Sequence, residues 1–163
     1  MKKPGGINSK EISKLNAIAK ANNTQIFIAY TYNRRFYSSV LYVQEMIEED
    51  GGVSSFNFEF TEWSHIIKKL NKPQKVLANW FYANSTHVVD LAFYLGGKPK
   101  EFCSYTAGST EWHPKSVFSG AGITVSGVLF SYQANWNAPG RWGVEILTKQ
   151  HRYYFRPMEE LHI

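Results

Sequence analysis

The sequence predicts an α+β domain, a mostly antiparallel open sheet with helices on one face. Two observations predict it. Helix-period segments crowd the chain before Gly97, and five strand-like runs crowd the chain after it. The separators between those late runs, such as Ser126-Gly127 and Lys149-Gln150, are short enough to join antiparallel neighbours. A length of 163 residues with 44% hydrophobic and 19% charged residues suits one domain with a buried core.

Taken in order, residues 1–7 open without a regular element. Asn8 with Glu11 three residues on forms a capping box that starts a helix. Ile12, Leu15, Ile18 and Ala19 form its expected buried stripe. Gln25 to Tyr32 reads as a strand, and Asn33 to Phe36 as a loop. A second helix runs from Ser38 or Ser39 to Glu49 and is closed by Asp50-Gly51-Gly52. Val53 to Glu62 alternates, with Phe56, Phe58 and Phe60 on one side and Ser55, Asn57, Glu59 and Thr61 on the other. Trp63 to Lys75 reads as a short helix and a loop around Pro73.

Trp80 to Leu95 is a third helix, because Val88, Leu91, Ala92 and Leu95 recur at spacings of three and four. Asn84, Ser85 and Thr86 are helix-starting residues and Gly96-Gly97 is a stop. His87 is therefore expected in the first turn, where the positive dipole end favours a neutral imidazole or a nearby anion. The strands that follow are Glu101 to Thr106, Val117 to Val125, Gly127 to Asn135, Trp142 to Thr148 and Tyr153 to Arg156.

Composition excludes several functions. The formal charge of +5 is scattered in clusters no larger than Lys2-Lys3, Arg34-Arg35 and Lys68-Lys69. No basic stripe interleaves with stacking aromatics, so neither a nucleic-acid face nor a membrane surface is expected. A single cysteine, Cys103, excludes an internal disulfide and fits a reducing cytoplasm. The opening residues, MKKPGGINSK, lack the apolar core of a signal peptide, and no apolar run is long enough to span a bilayer. The five histidines lack metal-ligand spacing, and no nucleophile elbow is present. No strand–G-x-G-x-x-G–helix unit exists to hold a dinucleotide. The high aromatic content, 16%, suits a packed sheet face, a sugar site, or both.

Four stretches carry chemistry. Tyr32-Asn33-Arg34-Arg35-Phe36 ends a strand with two arginines. These either fork onto phosphate or carboxylate, or divide into a surface residue and an ion pair. His87 with Asn84 one turn earlier forms either a polar pocket floor or a satisfied core histidine. Asp90 either orients His87 or pairs with a neighbouring element. Trp136 to Trp142, WNAPGRW, sets two tryptophans and Arg141 around a Pro-Gly turn; a packed hairpin end is favoured over a lid on a sugar.

In this order the motifs resemble the glucose–fructose oxidoreductase / inositol dehydrogenase / MocA (Gfo/Idh/MocA) family. Lys2-Lys3-Pro4 stands where that family has Glu-Lys-Pro, with lysine in place of glutamate. Tyr32 to Phe36 matches its Tyr-Asn-x-Arg-Phe segment, and His87 to Asp90 its histidine followed by x-x-Asp. Asn135 to Thr148 resembles a branch of its strand-rich end. The resemblance implies the C-terminal domain of such an oxidoreductase, with residues 1–163 forming one substrate-binding and oligomerisation domain. It implies that the N-terminal Rossmann domain is absent and the C-terminus truncated. It also implies hydride transfer between NAD or NADP, bound mainly by the absent domain, and a sugar or nucleotide sugar.

Lys3 is the implied contact of both substrate and cofactor, and His87 the residue that exchanges the hydroxyl proton. Tyr32, Asn33, Arg34, Arg35, Asn84 and Arg141 are the implied substrate-binding residues. The family often carries an aspartate one turn before the histidine; here Ala83 takes that place, which removes a charge that would raise the proton affinity of the imidazole. The resemblance implies a homo-oligomer through the sheet face. The alternative is a non-catalytic binding or dimerisation module that kept the sheet alone.

Overall fold

A computed structural model describes residues 9–25 and 32–163. Lys3, the Asn8 cap and the strand expected between Gln25 and Tyr32, apart from its two end residues, lie outside the described residues. The described chain forms helix α1 (Ser9–Ala21), a 3₁₀ turn (Asn33–Phe36), helix α2 (Ser38–Glu49) and strand β1 (Ser55–Phe60). Two short helices follow, α3 (Ser64–Ile67) and α4 (Gln74–Leu77). A π-helical turn (Phe81–Ser85) then runs into helix α5 (Thr86–Gly96). Strands β2 (Pro99–Ala107), β3 (Val117–Thr124), β4 (Leu129–Asn135), β5 (Trp142–Leu147), β6 (Arg152–Phe155) and β7 (Leu161–His162) complete it.

The strands make one seven-stranded sheet in the order β2-β3-β4-β1-β5-β6-β7. The α+β class and the mostly antiparallel open sheet are as the sequence predicts. The central strand β1 is antiparallel to β5 but parallel to β4, with Phe56 opposite Phe130 and Phe58 opposite Tyr132. The alternation in β1 places its three phenylalanines in the core and Asn57 on the exposed face. Each buried phenylalanine contributes about 2 to 3 kcal/mol through the apolar surface it removes from water.

Helix α5 lies across β1 and β5 and buries Val88, Leu91 and Ala92 completely. It approaches so closely that a Cβ on Gly96 would overlap the Phe56 ring. The phenylalanine stripe thus serves the domain's own helix layer; Phe93 packs edge-on against both Phe56 and Phe58.

Helix α2 adds Val40 and Val43 to the core. Its end is fixed by Asp50, which is buried and accepts hydrogen bonds from Tyr153 Oη (2.7 Å) and Thr148 Oγ1 (2.7 Å), with His151 Nδ1 at 3.1 Å. Gly51 and Gly52 follow at φ +82° and +101°, a left-handed path that the chain needs to turn into β1.

Two expectations need correction. Helix α1 does not bury its stripe. Only Ala19 is buried, and Ile18 is 59% exposed, because no described layer packs over it. The helix carrying His87 does not start at Asn84-Ser85-Thr86. Ser85 and Thr86 keep right-handed helical angles, and the π turn feeds straight into α5. The backbone N–H groups there are engaged within the helix, so His87 does not face an open dipole end.

Candidate functional site

A cleft of about 390 Å³ opens at the C-terminal end of β1, between the π turn, the β4–β5 loop and the β6–β7 turn. Three tryptophans, Trp63, Trp80 and Trp142, form much of its wall, and Arg34, Asn84 and Arg141 bring polar groups to it. Residues far apart in sequence converge because β1 ends beside β5 and β4. The strand end delivers Glu62 and Trp63, the loop before β5 delivers Arg141, the first residue of β5 is Trp142, and the π turn delivers Asn84.

Arg34 stacks its guanidinium over Trp142, 5.1 Å from the ring centre, and pairs with Glu159 at 3.2 Å. Its Nε is a buried donor without an acceptor. Arg141 stacks on Trp63 at 4.3 Å and makes no ion pair among the described residues. A buried N–H donor and an unneutralised guanidinium in one cleft favour a ligand rich in acceptor oxygens. Asn84 donates through Nδ2 to both carboxylate oxygens of Glu62, at 3.2 and 3.3 Å.

His87 is half-buried one turn after Asn84 on the same helix. Its ring stands 6.4 Å from Trp142 and meets Tyr32 edge-on at 5.7 Å. His87 therefore lies behind Trp142, which itself lines the cleft. Arg35 is held elsewhere: its Nε donates to Asp90 Oδ2 at 2.8 Å, its Nη2 to Oδ1, and its guanidinium stacks on Tyr94 at 4.6 Å. Asp90 thus serves Arg35. Asn33 is exposed on the 3₁₀ turn. The structure brings Arg34, Asn84 and Arg141 together with His87 nearby, and places Arg35 in an ion pair.

The WNAPGRW segment divides its tryptophans between two tasks. Trp136 is buried against Trp112, with rings stacked at 5.3 Å, and donates to Phe60 O. Trp142 is left for the cleft.

Glu62 escaped the sequence reading. It is 7% exposed, accepts from Ser85 Oγ at 2.8 Å, and has no cationic partner among the described residues. Burial pushes its carboxyl up to about 7, against the downward pull of Ser85 and Asn84. Trp142 and the Trp80 indole, whose N–H makes no hydrogen bond within normal geometry, add a weaker pull the same way. The signal was available. Glu62 shares the even-numbered parity of Phe56, Phe58 and Phe60, which marks the buried side of the strand.

No protein-family model matches the sequence, and no curated protein matches it by sequence. Solved structures do match. The WlbA dehydrogenase from Bordetella pertussis, solved with NADH and UDP-GlcNAcA, aligns at TM-score 0.72 and 14% identity over 98% of this chain and 53% of its own. This is the fold of the C-terminal domain of Gfo/Idh/MocA-type dehydrogenases. Myo-inositol 2-dehydrogenase from Lactobacillus plantarum aligns at TM-score 0.67 and 14% identity, over 93% of this chain and 48% of its own. A levoglucosan dehydrogenase, solved with NADH and levoglucosan, aligns at 0.66 and 19% over 92% and 45%. The chain spans about half the length of each of these dehydrogenases. No described helix is long and apolar enough to cross a membrane, and no described cluster of side chains suits a metal ion.

Proposed function

We propose that this chain is the substrate-binding domain of an NAD(P)-dependent dehydrogenase acting on a sugar or nucleotide sugar. The convergence of Arg34, Asn84 and Arg141 on one tryptophan-walled cleft beside His87 carries this reading. Indole faces suit the apolar face of a sugar ring, while guanidinium and amide groups suit its oxygens. The fold shared with sugar dehydrogenases supports it.

The sequence has no glycine-rich strand–helix turn, so these residues do not themselves build a dinucleotide site. NAD or NADP would supply the hydride acceptor from outside this domain. The residues here bind and orient. Arg34, Asn84 and Arg141 hold the sugar oxygens; His87, standing behind Trp142, is given the proton of the hydroxyl whose carbon is oxidised by resemblance to the Gfo/Idh/MocA family. Lys3 shares that proton transfer and the cofactor contact by resemblance alone. Tyr32 sets the His87 ring edge-on, and Arg35 fixes α5 through Asp90. Asn33 reaches a substrate only from the rim, being exposed.

The open sheet face is the proposed contact with a second copy of the chain. Small exposed residues there, Ser119, Ala121 and Ser131, permit a second sheet to approach. No described helix covers them.

The test is direct. The chain, titrated with myo-inositol and with UDP-N-acetylglucosamine while tryptophan fluorescence is followed, is expected to give saturable binding of at least one. It should give no reduction of NAD or NADP by itself. Silence with both ligands would overturn the reading. In the dehydrogenase that carries this domain, His87→Ala is expected to lower kcat on the order of a hundredfold. An unchanged kcat would leave a binding module.

A further inference from the structure

We propose that Glu62 is a ligand-contacting acid–base group of the cleft, an ionised acceptor for sugar hydroxyls whose engagement releases a proton to solvent. The proposal rests on the cleft being the sugar site. It starts from an unusual burial: a carboxyl 7% exposed, on the wall of a cleft, with only neutral hydrogen-bond donors. A buried carboxylate without a cation is costly, and a chain that needed only a strap between β1 and the π turn would do as well with glutamine. Ser85 donates to Oε1 and Asn84 to both oxygens, Oε2 receiving only the longer 3.3 Å bond, so Oε2 keeps acceptor capacity for a ligand. Glu62 shares the cleft wall with Asn84, Trp80 and Trp142.

The other charged groups around the cleft are accounted for. Arg34 on the 3₁₀ turn is paired with Glu159 of the β6–β7 turn. Arg141 of the β4–β5 loop lies on Trp63, and His87 of α5 lies behind Trp142. With its titration midpoint about 7, Glu62 is a mixture of both forms at neutral pH. A hydroxyl donating to the carboxylate favours the ionised form, so the protonated fraction loses its proton on binding. The balance is one carboxylic acid and one ligand in, one hydrogen-bonded carboxylate and one free proton out.

The experiment is calorimetric titration of the full chain with myo-inositol and with UDP-N-acetylglucosamine. It is run in MES and in Bis-Tris at pH 6, and in EPPS and in Tris at pH 8.5, pairs that buffer at those values and differ in ionisation heat, so that buffer-dependent heat counts protons released. The expected result is proton release at pH 6 that vanishes at pH 8.5. Glu62→Gln is expected to weaken binding about tenfold and abolish the release. Ser85→Ala, which removes a bond to the ionised form, is expected to move the vanishing point to higher pH.

Binding with undiminished proton release in Glu62→Gln would assign the proton elsewhere, to His87 first, and overturn this inference while the sugar site stands. Binding without any release would do the same. If the wild-type chain binds neither ligand, the site reading falls and this inference with it. If Glu62→Gln fails to fold by circular dichroism, Ser85→Ala decides, and an unmoved profile overturns the proposal.

Discussion

Arg35 closes a two-pronged hydrogen bond on Asp90, fastening the turn before α2 to the middle of α5. The fork matches the two carboxylate oxygens as only a guanidinium can. Arg35→Lys is therefore expected to destabilise the domain by about 1 kcal/mol and Arg35→Ala by about 1 to 2 kcal/mol. The loss is this small because the Arg35 side chain is 37% exposed and partly screened by water. Urea unfolding followed by tryptophan fluorescence measures both. Equal stability of Arg35→Lys and wild type would show that the fork geometry contributes nothing.

Acid sensitivity should be traceable to Asp50. The Tyr153 hydroxyl, then Thr148 and His151, hold this carboxyl below its ordinary value of 3.8. A depressed carboxyl lends stability above its unfolded value and loses it as pH falls through the folded one. Asp50→Asn is thus expected to lower the melting temperature at pH 7, with the gap to wild type closing below about pH 4. A gap of constant size down to pH 3 would remove Asp50 from the acid response.

Gly96 is expected to refuse a methyl group. The helix otherwise favours alanine by about 1 kcal/mol, but here the added carbon meets the Phe56 ring within a packed core. Overpacking of this kind costs about 1 to 3 kcal/mol, so Gly96→Ala should be net destabilising. Pairing it with Phe56→Leu should recover part of the loss. No recovery on pairing with Phe56→Leu would point to backbone strain instead of contact.

Cys103 reports on the sheet face. It is exposed beside Tyr105 and Ala121 on the uncovered side. If copies of the chain meet through that face, alkylation of Cys103 slows as protein concentration rises, in step with a dimer in sedimentation. A labelling rate independent of concentration would separate the face from any association.

Much of this architecture was written in residue periodicity. The alternation of β1, the apolar face of α5 and the short turns between late strands led to the α+β sheet. What stayed hidden depends on partners distant in sequence. The parallel pairing of β1 with β4 leaves no local trace, and the two-residue β7 is too short to show a period. The π turn keeps helical angles through residues that usually cap, so Asn84 and Ser85 read as a start when they continue a helix. Arg34 and Arg35 are identical as letters, and only the fold sends one to the cleft and the other to Asp90. Glu62 was legible by parity yet looked like the polar end of a strand.

The placement of β1 between β4 and β5 sets the timetable of folding. Its neighbours in the sheet are residues 129 to 133 and 142 to 147, so no hairpin can shelter it early. During synthesis Phe56, Phe58 and Phe60 have no strand beside them until β4 has emerged, and none on the other side until Leu147. Such non-local pairing slows folding and leaves an aromatic strand open to aggregation meanwhile. Helix α5, complete by Gly96, is available sooner and can cover that stripe as an internal chaperone before the sheet closes around it.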